Sequence, residues 1–235
     1  MKNRLTLVMV TALIVVSGTS IVACKTASPP QSSLTAAQVV HNSVERMGTV
    51  SAFHFELEQA GGGTPISEGL ELNRATGDVS RPDKLKTTIT ATVAGMLLEV
   101  SVITVGTTTY MTNPFTKEWE LLPSEFTAVS LFDPGTGITA ILDSISGINL
   151  VEDESVDGIT CYHITGEIFS EDLQPITLSS LVGTRIDIEI WIDQDEFLLH
   201  QVRLEGKITE DEIPGIVREI KLSSFNQEVE INLPN

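Results

Sequence analysis

The tightest constraint on this chain is a two-residue alternation that returns again and again along it. Arg185, Asp187 and Glu189 alternate with Ile186, Ile188, Ile190 and Ile192. Successive side chains of an extended chain point to opposite faces, so such a segment makes a strand with one dry face and one wet face. The pattern recurs where Phe53, Phe55 and Leu57 alternate with His54, Glu56 and Glu58. Over 84–94, Leu85, Ile89 and Val93 share a face with Thr87 and Ala91. Residues 96–105 are apolar on both faces, and Gly106 turns the chain into 107–111. Asp193–Glu196 reads as a hairpin turn into 197–206, and 216–225 and 229–233 supply the last strands. Strands that follow one another without intervening helices predict an antiparallel sheet rather than βαβ units.

Three segments carry helical spacing instead. Thr35-Ala-Ala-Gln38 fits a capping box, with Leu34 and Val39 placed as a hydrophobic staple. Leu34, Ala37, Val40 (or His41), Val44 and Met47 then recur at helical spacing, and Gly48 ends the helix. Residues 136–146 put Ile138, Ile141, Leu142 and Ile145 on one face, and 171–182 allow only a broken helix because of Pro175. Gly61-Gly62-Gly63 reads as a turn between strands. The class is therefore α+β: a long, curled antiparallel sheet with a few helices on one side.

The N-terminus reads as an address rather than as structure. Lys2 and Arg4 precede an apolar run from Leu5 to Val16, then small and polar residues, then Ile21-Val22-Ala23-Cys24. This is the layout of a cleaved secretory signal over 1–23, and Ile21–Cys24 resemble a bacterial lipobox. That resemblance implies a diacylglyceryl group on the Cys24 thiol and a protein anchored on the extracytoplasmic face of the cell membrane. Residues 24–33 follow as a polar tether, and 34–235 as a single domain.

Of the 14 basic residues, Lys2 and Arg4 leave with the signal, so 12 face 32 acidic ones at a formal charge of −20. That balance excludes nucleic acid and leaves no electrostatic hold on anionic headgroups, so the acyl group on Cys24 is the expected membrane contact. Acylation of Cys24 leaves Cys161 without an intrachain partner, so no disulfide is expected.

Sites for chemistry are sparse. No pair of the four histidines has a zinc-protease spacing, and no nucleophile elbow, Walker loop or dinucleotide glycine motif occurs. Cys161 and His163 share a strand face, as a nucleophile–base pair or half a metal site would, but a packing pair explains them better. Acidic clusters at Glu152–Glu154 with Asp157, at Asp193–Glu196 and at Glu210–Glu212 could each attract calcium. None matches an EF-hand loop, and solvated turns are the ordinary reading. Neither an enzyme nor a cofactor is expected, and the chain is expected to be a monomer.

Several segments taken in order resemble one family. They are Val50-Ser-Ala-Phe-His-Phe-Glu-Leu57 after a helix, Tyr110-Met-Thr-Asn-Pro-Phe-Thr-Lys-Glu-Trp119 with Leu121-Leu122-Pro123, and Asp157-Gly158 before the strand 160–166. Ile190-Trp191-Ile192-Asp193 follows, and Ser223-Ser224-Phe225-Asn226 with 229–234 closes the series. Behind a lipobox they resemble the LppX/LprA/LprF/LprG lipoproteins. The resemblance implies a half-open barrel with helices packed on its concave face, related in shape to the LolA/LolB carriers. It also implies an apolar cavity for acylated lipids or glycolipids that are bound or shuttled across the envelope. This chain departs in its acidity and in Cys161. The expected lining is the dry strand faces, Leu57, Ile89, Val93, Val100, Val102, Ile188 and Ile190, with Ile141, Leu142 and Ile145 closing the mouth. A filled core would instead make the protein a non-enzymatic envelope scaffold or interaction module.

Overall fold

The computed structural model describes residues 34–67, 70–122, 137–176 and 180–234. From Leu34 onward the chain forms one compact unit. It opens with α1 (Ala36–Gly48), whose capping box forms as the sequence predicts: Thr35 Oγ1 accepts from the Gln38 amide at 3.3 Å, and the Gln38 side chain accepts from the Thr35 amide at 2.9 Å. The buried stripe is Val39, Val40, Ser43 and Met47, with Leu34, Ala36 and Val44 partly covered; Ala37 faces out. Gly48 is the last helical residue rather than a left-handed cap, and Thr49 caps in αR geometry. The Arg81 guanidinium donates to the carbonyls of Met47 and Val50, both at 2.8 Å, and so serves acceptors that a helix end leaves open.

The strands follow as β1 (Ala52–Ala60), β2 (Thr64–Ser67), β3 (Leu70–Ser80), β4 (Lys84–Val93), β5 (Met96–Val105), β6 (Thr108–Thr112) and β7 (Trp119–Leu121). A short helix α2 (Ile138–Asp143) leads to β8 (Ser146–Leu150), β9 (Glu154–Val156) and β10 (Ile159–Phe169), and a 3-10 turn (Ser170–Ile176) to β11 (Arg185–Asp193), β12 (Leu199–Glu205) and β13 (Val217–Ser223). All pair antiparallel in one sheet of order β7-β6-β5-β4-β3-β1-β13-β12-β11-β10-β8, with β2 beside β3 and β9 beside β10. The sheet is curled and unclosed, a half-barrel of the α+β class, and β1 closes its middle by joining β3 to β13.

Three expectations of extent change. The helix expected over 136–146 is only α2, because the chain beyond Ser144 extends into β8; position 136 lies outside the described residues. The broken helix over 171–182 is the 3-10 turn, which buries Leu173 completely; 177–179 lie outside the described residues. Residues 229–233 form no ladder. Both edges of β1 are already taken by β3 and β13, and the tail contributes one buried side chain, Ile231.

Candidate ligand-binding face

Register fixes which side chains share the face beneath the helices. Phe53, Phe55 and Leu57 of β1 lie opposite Val79, Gly77 and Ala75 of β3, which lie opposite Leu85, Thr87 and Ile89 of β4. Ile89 in turn lies opposite Val100 of β5, Thr87 opposite Val102, and Val102 opposite Met111 of β6. On the other side of β1, Leu57 lies opposite Ile220, Ile220 opposite Val202, Val202 opposite Ile190, and Ile190 opposite Ile164. Directly opposed residues of antiparallel strands point the same way. One apolar face therefore runs from β6 through β1 to β10.

The face has two unlike halves. Over β10–β13 and the start of β1, α1 and α2 pack into one continuous core in which Phe53, Ile164, Ile186, Ile188, Ile190 and Ile192 are almost completely buried. Ile141 and Leu142 of α2 belong to that core, with Ile145 packed against it. Ile145 has a purpose-made seat. A Cβ on Gly166 would come within 2.7 Å of its Cγ2, so only glycine lets it settle over β10 opposite Ile188. Over the far half of β1 and β3–β5 the same face stays half-buried at Leu57, Ile89, Val93 and Val100, whereas Val102 and Ala75 are buried.

The ten residues expected to line a cavity thus fall into two groups. Ile188, Ile190, Ile141, Leu142 and Ile145 meet one another in the filled half. Leu57, Ile89, Val93, Val100 and Val102 line the half-covered half, outside that core. The sequence reading missed Leu72 and Ala75 of β3, which complete that second strip. Their alternation is broken by a register shift between Leu72 and Arg74, which reverses the parity of inward positions across Asn73. The only signal available was Leu70-Glu71-Leu72, too short to count as a strand.

The opposite face carries polar clusters whose bonds are internal. His163 stacks on Trp191 with ring centroids 4.5 Å apart, its Nε2 is 2.8 Å from Glu189 Oε2, and the indole Nε1 donates to Glu154 at 2.9 Å. Burial pushes Glu189 up, but hydrogen bonds from Arg203 and His163 outweigh it and hold the carboxyl below its ordinary range. Cys161 is fully buried beside Val156 and Trp191, and its Sγ lies 3.6 Å from the Ile159 carbonyl. Burial and the nearby charge of Asp193 push its thiol up to about 11, which suppresses the thiolate needed of a nucleophile. At the end of the concave face, where Arg218 lies opposite Leu204 and Gln59, Glu212 is no solvated turn residue. It is buried, paired with Arg218, and accepts from the Ile208 and Thr209 amides at 2.7 and 3.3 Å. Among the described residues, no three His, Cys, Asp or Glu side chains are grouped to hold a metal.

Comparison with known proteins agrees with this architecture. The lipoarabinomannan carrier protein LprG of Mycobacteroides abscessus is 22% identical over 235 residues, covering 100% of this chain and 99% of its own. The crystal structure of LprF from Mycobacterium bovis superposes with a TM-score of 0.69 at 16% identity, over 85% of this chain and 96% of that one. LppX of Mycobacterium tuberculosis gives 0.61 at 17% identity, over 84% and 98%. The model of the LppX_LprAFG lipoprotein family matches residues 35–231, and the chain belongs to that family.

Proposed function

We propose that this protein is a lipid-binding lipoprotein, anchored through an acylated Cys24 on the extracytoplasmic face of the cell membrane. On this reading it holds or shuttles an acylated lipid or glycolipid. The observation that carries it is the half-buried aliphatic strip Leu57–Ile89–Val100, bordered by Val93 and Val102 and continuous with the core. A strip of this kind loses contact with water when an alkyl chain is laid on it, a gain of roughly 0.8 kcal/mol per buried CH₂. The filled half, with Ile188, Ile190, Ile141, Leu142 and Ile145, then serves as the rigid wall beside the cavity. That a relative aligned end to end is a lipoarabinomannan carrier supports a lipidic cargo.

Native mass spectrometry of the chain produced without residues 1–24 tests the cargo. Co-purifying lipid is the expected result; a consistently bare mass with no uptake of fluorescent fatty acid favours the scaffold reading. Cys24→Ala tests the anchor. The variant should leave the membrane fraction, and tight retention in it after complete signal removal would sink the idea.

A further inference from the structure

Turns of an antiparallel sheet alternate between its two ends, and here the two ends differ in chemistry. One end gathers the β4–β5 turn at 94–95, the β6–β7 turn at 113–118, the described parts of the β10–β11 connection at 170–176 and 180–184, and the β12–β13 connection at 206–216. Large apolar side chains stand out into water on or beside each of them: Met96 (52% exposed), Leu97 (68%), Phe115 (68%), Phe169 (37%), Val182 (86%) and Ile213 (57%). The turns at the other end, over 81–83, 106–107, 157–158, 193–198 and 224–226, carry no exposed large apolar side chain among the described residues. Those turns present Asp157, Asp195 and Glu196 instead.

The apolar end is held together and connected to the strip. The Leu181 amide donates to the Ile208 carbonyl at 2.8 Å, joining two of its loops, and the buried Arg218–Glu212 pair fixes the second of them to the sheet. On the concave face Ile89, Ala91 and Val93 of β4 run out to this end beside Val100, Leu98 and Met96 of β5. An apolar track thus leads from mid-sheet to a side chain that is half in water.

We propose that this end of the half-barrel docks on a bilayer of neutral headgroups, seating its exposed apolar turn residues among the acyl chains so that the β4–β5 track opens onto the lipid. The inference rests on the lipid-carrying reading above and adds where cargo enters. A bilayer is the occupant because the apolar groups sit on four separate turns. A protein partner would need a matching pocket for each, whereas a fluid interface yields around every one. Glu171, Asp172, Glu210 and Asp211 in the same loops, on a chain of formal charge −20 after signal removal, oppose anionic headgroups. The ten residue-to-residue steps from Cys24 to Leu34 span at most about 36 Å, which keeps an acylated protein within reach of the surface.

The test uses the full acylated lipoprotein in phosphatidylcholine vesicles. Leu97→Cys or Val182→Cys carries an environment-sensitive fluorophore, with Asp195→Cys and Thr107→Cys as controls at the opposite end. Rim probes should shift to the blue, be quenched by spin-labelled lipid, and lose iodide quenching several-fold, while the controls keep solution values. Equal behaviour at both ends would overturn the proposal. So would shielding of the rim without vesicles in a species of twice the chain's mass, which would assign it to a second copy. Adding phosphatidylglycerol should weaken the rim signal, and strengthening it would contradict the charge argument. The double variant Leu97→Glu/Val182→Glu should slow lipid transfer between vesicles several-fold while leaving lipid bound in native mass spectra. Rim insertion by a protein that never binds lipid would refute the carrier reading and leave the docking surface standing.

Discussion

The two halves of the concave face are built from the same strands and differ in what lies over them. Beneath α1 and α2, the inward positions 162–168 of β10, 186–192 of β11 and 199–204 of β12 are all Ile, Leu, Val or aromatic except Gly166, and that exception admits Ile145. Across β1, the inward positions of β3 to β6 are smaller and more mixed, including Ala75, Gly77, Thr87, Ala91 and Thr104. Gly77 has no room to be anything else: a Cβ there would lie 2.3 Å from the Lys86 carbonyl oxygen. One half is dense enough to be self-sufficient. The other pairs small residues with half-buried aliphatics, so its surface is apolar without being filled. A uniform periodic pattern of hydrophobic residues can thus encode both a packed half and a half-covered one.

That contrast can be broken most forcefully in the filled half. Ile190→Ala should cost about 2–5 kcal/mol in urea denaturation, because a fully enclosed side chain leaves a void. A cost as small at Ile190 as at a surface position would mean that the wall is not packed as described. Overpacking gives the next largest effect. Ile141→Trp, in the core under α2, should lose about 1–3 kcal/mol. Val100→Trp, on the half-covered strip, should leave the melting temperature nearly unchanged while reducing lipid uptake. Equal destabilisation at both positions would erase the distinction and favour a solid core throughout.

A smaller effect depends on pH. Burial holds His200 below its ordinary value of 6.5, partly offset by the charge of Asp193. A histidine with a lowered folded-state pKa binds fewer protons in the native chain than in the unfolded one. Its contribution is therefore complete above about pH 6.5 and is lost as pH falls toward the folded value. Thermal unfolding at pH 7.5 and 5.5 should show this loss in the wild type and a weaker one in His200→Gln; an unchanged slope would assign the dependence to other groups. The smallest expected signal is none. Cys161 should resist a polar maleimide under native conditions, since it is fully buried and its thiol is pushed up to about 11. Rapid labelling would show that the convex face opens.

What could be read from the sequence followed the strength of local pattern. The Thr35–Gln38 box and the Ile186–Ile192 alternation are decided within a few residues, and both form as read. The strand β3 was illegible because its bulge at Asn73 reverses the alternation and its inward residues include Ala and Gly, which carry little hydrophobic signal. Residues 229–233 alternate like a strand, yet pairing also needs a vacant edge, which is a property of the assembled sheet. The division of the face into two halves was hidden for a related reason. Ile89 and Ile188 are identical letters in similar patterns, and only the placement of α1 and α2 makes one half-covered and the other buried.

A half-barrel that stays open keeps two strand edges, and unpaired edges invite neighbouring chains to add strands of their own. Here the terminal ladders are short. At one end β7 contributes three residues, and at the other β8 contributes five, with its register against β10 shifted between Thr165 and Glu167. Neither offers the long, flat template that intermolecular pairing requires. Among the described residues, the two terminal strands of the open sheet therefore offer a neighbouring chain only short ladders to extend.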